Sequence, residues 1–376
     1  MRQGKRNSPE NRATDLNAAA DHASLFHAPQ GNTIYSGNVE NYIGLTQIPT
    51  GLAGPLQING QYANGIFSIP LATTEGALVA SYSRGASAIT KSGGATVAIT
   101  EERLQRCPAF YFDNMQAAQQ FIAFVNQIKH HFPHIVSTQT AHGKLLQVED
   151  LLLGHVVILT FWYSTGDAAG QNMVTFCTDA ICQYIVAQSP VKVQQWYIES
   201  NMSGDKKASA YNMSQQRGKK LVAEVILPKD IVASILKSTP DAMLQYHQCA
   251  MQAAAMSGAL GMQGHFANGL AALFLATGND VACVAESACG MTQVSLTAAG
   301  DLRASVIIPS FTAGTIGGGT GLPTQRAALQ LMGCEGSGKA RKFAEIAAAL
   351  VLAGELSIMA ALAAGHFTSA HKNLGR

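Results

Sequence analysis

"VVILTFWYS", residues 156–164, is an apolar run of β-branched and aromatic side chains, and it reads as a strong strand. A helical pattern follows in "GQNMVTFCTDAICQYIVAQ" (170–188), and a closing strand in "VQQWYIES" (193–200). Upstream, "AFYF" (109–112) reads as a strand, "MQAAQQFIAFVNQIKHHF" (115–132) as an amphipathic helix, and residues 135–148 as a weak extended segment. The order βαββαβ is the split unit of ferredoxin-like domains. The character of the chain breaks near Pro108. The expected fold class is therefore α+β. A small ferredoxin-like domain over 108–199 is inserted into a large helix-rich domain made of 1–107 and 200–376, where apolar helical stretches lie around 241–277 and 343–366.

Composition bounds the function. The 376 residues are 47% hydrophobic and 13% charged, which suits a large core divided between about two domains. Formal net charge is +2 without long like-charge runs, which argues against bulk nucleic-acid binding. Seven cysteines form no CxxC pair and follow no secretory segment, so reduced thiols and a cytoplasmic location are expected. "AAALVLAGELSIMAALAAGH" (347–366) is apolar enough to cross a membrane, but Glu355 sits in its middle. A buried helix, with Glu355 either paired or facing a site, is the reading adopted, and no membrane partner is expected.

Two glycine-rich stretches lie close together. "GTIGGGTGLPT" (314–324) raises the question of what approaches its backbone, and "GCEGSGKA" (333–340) almost spells a phosphate-binding loop. The second fits GxxxxGK, but Ala340 removes the hydroxyl that would hold magnesium, and "QRAALQLM" before it reads as helix. A turn after a helix is the better reading.

Isolated polar residues interrupt apolar surroundings elsewhere. Glu75 precedes a helix-like run, where an acid answers the helix dipole. Asp205, Lys206 and Lys207 form a charged turn, and Asp280 follows the glycine that ends an apolar helix. His366 and His371 lie near the end of the chain. Singly, each has a bland explanation. Together, Glu, Lys, Asp and His are a set from which proton donors and charge stabilisers for a carbonyl are drawn. No cluster has metal-ligand spacing, so no metal is expected.

Seven stretches, in order, carry a resemblance: "ENYIGLTQIPTGLAGPL" (40–56), "ATTEGALVASYSRGASAI" (72–89), "GDAAGQNM" (166–173), "SGDKKASA" (203–210), "GHFANGLAALFLATGND" (264–280), "GTIGGGT" (314–320) and "AGELSIMAALAAGH" (353–366). Over nearly its whole length the chain resembles the 3-hydroxy-3-methylglutaryl-CoA (HMG-CoA) reductase family. The DKK form of the lysine motif resembles the class I members, which use NADPH to make mevalonate. A membrane anchor like that of animal members is not expected.

The resemblance implies two hydride transfers from NADPH, converting HMG-CoA to mevalonate and CoA. It assigns Glu75 as a proton donor, Lys206 as the oxyanion stabiliser, Asp280 as the residue between them, and His371 as the acid that protonates the departing CoA thiolate. His371 is preferred to His366 because it falls five residues after the AGH histidine, although Ala370 stands where a serine often precedes it. Arg106 is implied to contact the substrate carboxylate, Asn268 and Lys207 to be polar substrate or network positions, and Arg84 and His265 to lie near CoA and the active centre. The small domain would carry the cofactor, with Asp167, Gly170, Gln171 and Asn172 at a helix N-terminus. Gly317, Gly318, Gly319 and Thr320 would admit the cofactor where a Cβ would block it.

There are departures. Ala169 replaces a usual methionine, "STQTAHG" (137–143) lacks a basic residue that many members place opposite the NADPH 2′-phosphate, Glu199 stands at a small-hydroxyl position, and Ser87 replaces a basic residue. Gln139, Glu199 and Ser87 motivate an alternative, a related reductase using NADH or another branched acyl thioester. A non-catalytic CoA-binding homologue is a third possibility, opposed by the intact Glu75, Lys206, Asp280 and His371. Members assemble with active sites across subunit interfaces, so a homodimer or higher even oligomer is expected.

Overall fold

The computed structural model describes residues 33–365. The opening segment, His366, Ala370 and His371 lie outside the described residues. Among the described residues, ten strands form one hydrogen-bonded network. In chain order they are β1 (Thr50–Gly60), β2 (Asn64–Ala72), β3 (Ala95–Arg106), β4 (Ala109–Tyr111), β5 (Lys144–Leu153), β6 (Val156–Ser164), β7 (Gln195–Tyr197), β8 (Gly218–Leu227), β9 (Met291–Leu296) and β10 (Leu302–Phe311).

β4, β5, β6 and β7 pair antiparallel in the spatial order β7, β4, β6, β5, with helices Met115–Ile128, Phe132–Gln139 and Gln171–Gln188 completing the split βαββαβ pattern. β6 is buried along nearly its whole length, as its continuous apolar run requires. One expectation is corrected: residues 132–139 are helical, and the strand begins only at Lys144. Pro133 sits in the first turn, where its missing N–H costs no hydrogen bond, and Phe132 and Val136 bury one face of that turn.

β8, β10 and β9 continue antiparallel from β3, which pairs with β8 through most of its length and with β6 only at Leu104–Arg106. Thus β3 runs from one hydrophobic cluster into another. The larger cluster joins β1, β2, β8 and β10 to helices Leu78–Lys91, Phe266–Thr277 and Ala340–Ala363, and the smaller one gathers Phe110, Phe121, Phe161, Ile181 and their neighbours.

Helix Ala340–Ala363 is long and apolar enough to cross a membrane, yet it is almost entirely buried inside the protein. It crosses helix Leu78–Lys91 at Gly85, where a Cβ would collide with the Ala353 carbonyl. Its two acids are satisfied internally. Glu345 accepts N–H bonds from Gln61, Tyr62 and Ala63, while Glu355 accepts from Gly264 and His265 N–H, each at 2.7 Å, and from the Thr292 hydroxyl. Of the two roles expected for Glu355, the structure supplies pairing. A buried carboxylate with three donors on it pins the entrance of helix Phe266–Thr277, which carries Asn268 in its first turn and leads through Gly278 to Asp280.

Candidate active site

Helix Phe266–Thr277 ends at Gly278, whose left-handed backbone (φ 72°) turns the chain so that Asn279 and Asp280 follow. Asp280 Oδ1 accepts the Ala282 N–H at 3.0 Å, capping the next short turn. Its other oxygen, Oδ2, lies 2.8 Å from Lys206 Nζ. Lys206 has a left-handed backbone (φ 55°) unusual for a lysine, within the Gly204–Lys207 turn. The hydrogen bond that Lys206 donates to Asp280, together with nearby negative charge, raises the Lys206 pKa against a smaller opposing effect of burial. The ammonium therefore stays charged while nearly half exposed, which suits a group that stabilises a developing oxyanion.

The Gly-rich loop lies against this turn. Gly319 packs on Gly278, where a Cβ on Gly278 would collide with the Gly319 carbonyl, and Asn279 Oδ1 accepts the Gly314 N–H at 2.8 Å. On its other side Gly314 meets the backbone of 167–169, and Thr315 N–H donates to Asp167 O at 2.9 Å. Close approach therefore explains Gly314 and Gly319. It does not explain Gly317 and Gly318, which have φ of 78° and 54° and face no protein atom within 4 Å of an added Cβ. Both are exposed, Gly318 O accepts from Asn38 Nδ2 at 2.9 Å, and the next residue, Gly319, packs on Gly278, two residues before Asp280.

The near phosphate loop is filled by the protein itself. Asp167 accepts N–H bonds from Gly338 (2.7 Å) and Ala340 (3.1 Å) and the Ser337 hydroxyl at 3.2 Å. Its carboxylate thus occupies the N-terminus of helix Ala340–Ala363. Burial pushes its pKa up, but these hydrogen bonds outweigh that and hold it below the ordinary aspartate value. Asp167 joins two glycine-rich loops; its side chain is turned toward the helix.

Gln171 is likewise turned inward. Its Oε1 accepts from Arg217 and its Nε2 lies 3.7 Å from Cys283 Sγ. Gly170 begins helix Gln171–Gln188 in a left-handed conformation, and Asn172 is exposed in its first turn. Arg106, with a side chain 8% exposed, contacts Glu199 at 2.9 Å and Asp205 at 3.3 Å. Arg217, fully buried, contacts the other oxygen of Asp205 at 3.1 Å and lies 3.8 Å from Glu286. Lys207 is exposed and its Nζ donates to Asp205 O.

A second polar pair stands apart. Glu75 Oε2 accepts from Asn268 Nδ2 at 2.9 Å, in a groove shared with Thr73, Thr74, Ala271 and Leu275. The helix-acid reading of Glu75 gives way to this contact, since helix Leu78–Lys91 has no side-chain cap. Arg84 donates to the carbonyl and hydroxyl of Ser357, and burial lowers its pKa. His265 stacks on Tyr82 with ring centroids 5.0 Å apart. Among the described residues, no hydrogen bond or ion pair joins Glu75 to Lys206 or Asp280. Asn268 and Thr277 are separated along one helix by about 14 Å of rise, which sets the two pairs at its opposite ends.

Three participants escaped the sequence reading. Asn279 sits unnoticed between Gly278 and Asp280, and Arg217 and Glu286 lie in segments without a recognisable pattern. Only the burial of charged residues at positions 217 and 286 would have drawn attention, and burial is a tertiary property.

Comparison with known proteins agrees with this architecture. The family described as hydroxymethylglutaryl-coenzyme A reductase matches residues 10–376. The 3-hydroxy-3-methylglutaryl-coenzyme A reductase of Pyrococcus abyssi is 44% identical over 352 residues, 92% of this chain and 86% of that protein. The enzyme of that name from Methanocaldococcus jannaschii is 43% identical over 344 residues, covering 90% of this chain and 85% of its own. Among solved structures, the class II reductase of Streptococcus pneumoniae bound to NADPH superposes with a TM-score of 0.68 at 20% identity, over 95% of this chain and 97% of that one. That likeness is one of fold. With the family matched along almost the whole sequence and archaeal relatives similar over nine-tenths of it, this chain belongs to the hydroxymethylglutaryl-coenzyme A reductase family.

Proposed function

We propose that this protein reduces 3-hydroxy-3-methylglutaryl-CoA to mevalonate and free CoA, consuming two NADPH and two protons. The observation that carries this reading is the exposed Lys206–Asp280 pair, with Asp280 two residues beyond Gly278, on which Gly319 of the glycine-rich loop packs. A cation and a surface without side chains are what a carbonyl and a flat ring need in order to meet. Gly317, Gly318, Gly319 and Thr320 would hold the nicotinamide end of the cofactor. Gly170 and Asn172, at the start of helix Gln171–Gln188 within the 108–199 unit, would hold its phosphates. Bound there, NADPH supplies hydride. Lys206 offsets charge on the substrate oxygen, and Asp280 keeps the lysine protonated and oriented. Glu75, positioned by Asn268, donates a proton to the oxygen as the aldehyde is reduced. His371, outside the described residues, protonates the departing thiolate.

Because Glu75 and Lys206 belong to pairs at opposite ends of one helix, we infer that a complete site takes Glu75 from one copy and Lys206 from another. This supports an even homo-oligomer, for which we propose a cytoplasmic location. The test of the activity is to count NADPH oxidised per CoA released. Two per CoA, lost in Lys206→Ala, is the expected result; no oxidation with NADPH or NADH would overturn it.

One contact favours a second reading. Glu199 holds Arg106, the arginine that would otherwise receive the substrate carboxylate. A branched acyl-CoA lacking that carboxylate would leave the ion pair intact. Comparing kcat/KM for HMG-CoA and 3-hydroxy-3-methylbutyryl-CoA, in the wild type and in Glu199→Ser, separates the two substrates.

A further inference from the structure

Behind the exposed Lys206–Asp280 pair lies a buried set of charges that the reaction scheme does not use. Glu286 is fully buried, and neither of its carboxyl oxygens has a hydrogen-bond partner. Arg217 Nε is also unpartnered and lies 3.8 Å from Glu286 Oε1. The other end of the Arg217 guanidinium reaches Asp205 Oδ1 at 3.1 Å and the side chain of Gln171. Asp205 is the residue immediately before Lys206, and Glu286 lies six residues after Asp280. The turn bearing Lys206 and the turn bearing Asp280 are therefore joined twice: outside by their own ion pair, and inside through Asp205, Arg217 and Glu286.

In the inner connection Arg217 presents Nη2 to Asp205 at 3.1 Å and Nε to Glu286 at 3.8 Å, so that one buried cation faces two carboxyl groups. Around Glu286 stand Arg217, Asp205, the backbone of Lys206 and the thiols of Cys283 and Cys289, with Arg106 and Glu199 beyond Asp205. We propose that Glu286 is a positioning residue whose buried carboxyl competes with Asp205 for Arg217 and thereby sets the turn that aims Lys206 at Asp280. When Glu286 is neutral, Arg217 is left to Asp205 and Gln171, and the turn is held. Once Glu286 ionises, Arg217 is shared between two carboxylates and the hold on Asp205 loosens. Burial pushes the Glu286 pKa up to about 7, against the opposing charge of Arg217, so this competition falls near neutral pH.

The inference rests on the reductase reading only for its kinetic consequence, and its primary test needs no turnover. Lys206 and Lys207 are adjacent and both exposed, so their acetylation rates, measured by mass spectrometry, compare the two amines under one condition. In the wild type the Lys206 to Lys207 ratio should change several-fold as pH rises through about 7, the range where Glu286 titrates. In Glu286→Gln, which keeps the shape and cannot ionise, the ratio should not depend on pH beyond the ordinary titration of the two amines. Glu286→Met serves the same purpose if the amide impairs folding. Where the wild type turns over, kcat should decline across the same range and the decline should vanish in Glu286→Gln, with KM little changed. An acetylation ratio that follows pH identically in wild type and Glu286→Gln would overturn the proposal. Wild-type protein that oxidises no NADPH would instead sink the reductase reading and leave acetylation to decide this one.

Discussion

Lys206 Nζ and Asp280 Oδ2 are 2.8 Å apart although the two side chains remain 45% and 44% exposed. An ion pair so open to water contributes little to stability, at most about 1 kcal/mol. Its worth is in aiming a cation at a reacting oxygen. Lys206→Ala and Asp280→Asn should therefore each lower kcat by about a hundredfold or more while shifting Tm by no more than a degree or two. In Asp280→Asn the lysine pKa should also fall, since the hydrogen bond that raises it is lost. A change in Tm as large as the change in rate would assign the pair to folding.

Asp167 was expected among the cofactor residues and instead holds the start of helix Ala340–Ala363. Asp167→Asn should destabilise the protein by about 1 kcal/mol at neutral pH, because it removes the negative charge and one of the two acceptor oxygens at the start of the helix. The sign of the pH dependence is fixed by the lowered carboxyl pKa. The contribution is present above the unfolded value and disappears as pH falls through the folded one. Urea titrations of both proteins should diverge at neutral pH and converge once pH has fallen below the lowered folded-state titration of Asp167. Equal stability at neutral pH, with a raised cofactor KM, would return Asp167 to the cofactor site.

How much of this was legible beforehand depends on the range of each interaction. The alternation of apolar strands and amphipathic helices over 109–200 is local, and it gave the βαββαβ order. Helix Phe132–Gln139 was missed because Pro133 looks like a breaker unless its place in a first turn is known. Lys206, Asp280 and Glu75 were visible as polar residues at the ends of apolar elements. Their partners were less so: the contacts among positions 106, 199, 205, 217 and 286 join segments distant in sequence, and no local periodicity encodes them. The same limit applied to "GCEGSGKA", whose amides are occupied by a carboxylate from position 167.

Shared sites make a prediction that does not depend on knowing the substrate pose. Glu75→Gln and Lys206→Ala should each be inactive alone. Co-expressed, they should recover about a quarter of the wild-type rate, because half of randomly formed dimers carry both lesions on one of their two sites and leave the other intact. No recovery in an exchange-competent mixture would place Glu75 and Lys206 of one chain at the same site.

The glycines of "GTIGGGT" separate into two groups by what surrounds them, and substitution should separate them too. Gly314→Ala drives a methyl into the backbone of residues 167–169 and should cost stability directly. Gly318→Ala meets no protein atom within 4 Å and adds only the strain of its positive φ, about 1 kcal/mol. Its main effect should be a several-fold rise in the KM for NADPH with thioester KM unchanged. If Gly318→Ala leaves cofactor KM untouched, the open backbone serves some other ligand.

Glu286 offers a stability measurement independent of catalysis. Its folded pKa, raised by burial to about 7 from 4.5, means that the folded protein keeps a proton which the unfolded chain releases. The stability linked to that proton is complete below the unfolded value and is lost as pH rises through the folded one. At about 1.4 kcal/mol per pH unit, the loss amounts to ~3 kcal/mol between about pH 5 and pH 8. Glu286→Gln has no such proton to lose. Relative to the wild type, its Tm should therefore gain several degrees between those two pH values, whatever the buried amide itself costs. A Tm difference that stays constant across the range would mean that Glu286 is ionised throughout, with Arg217 holding it as firmly as it holds Asp205.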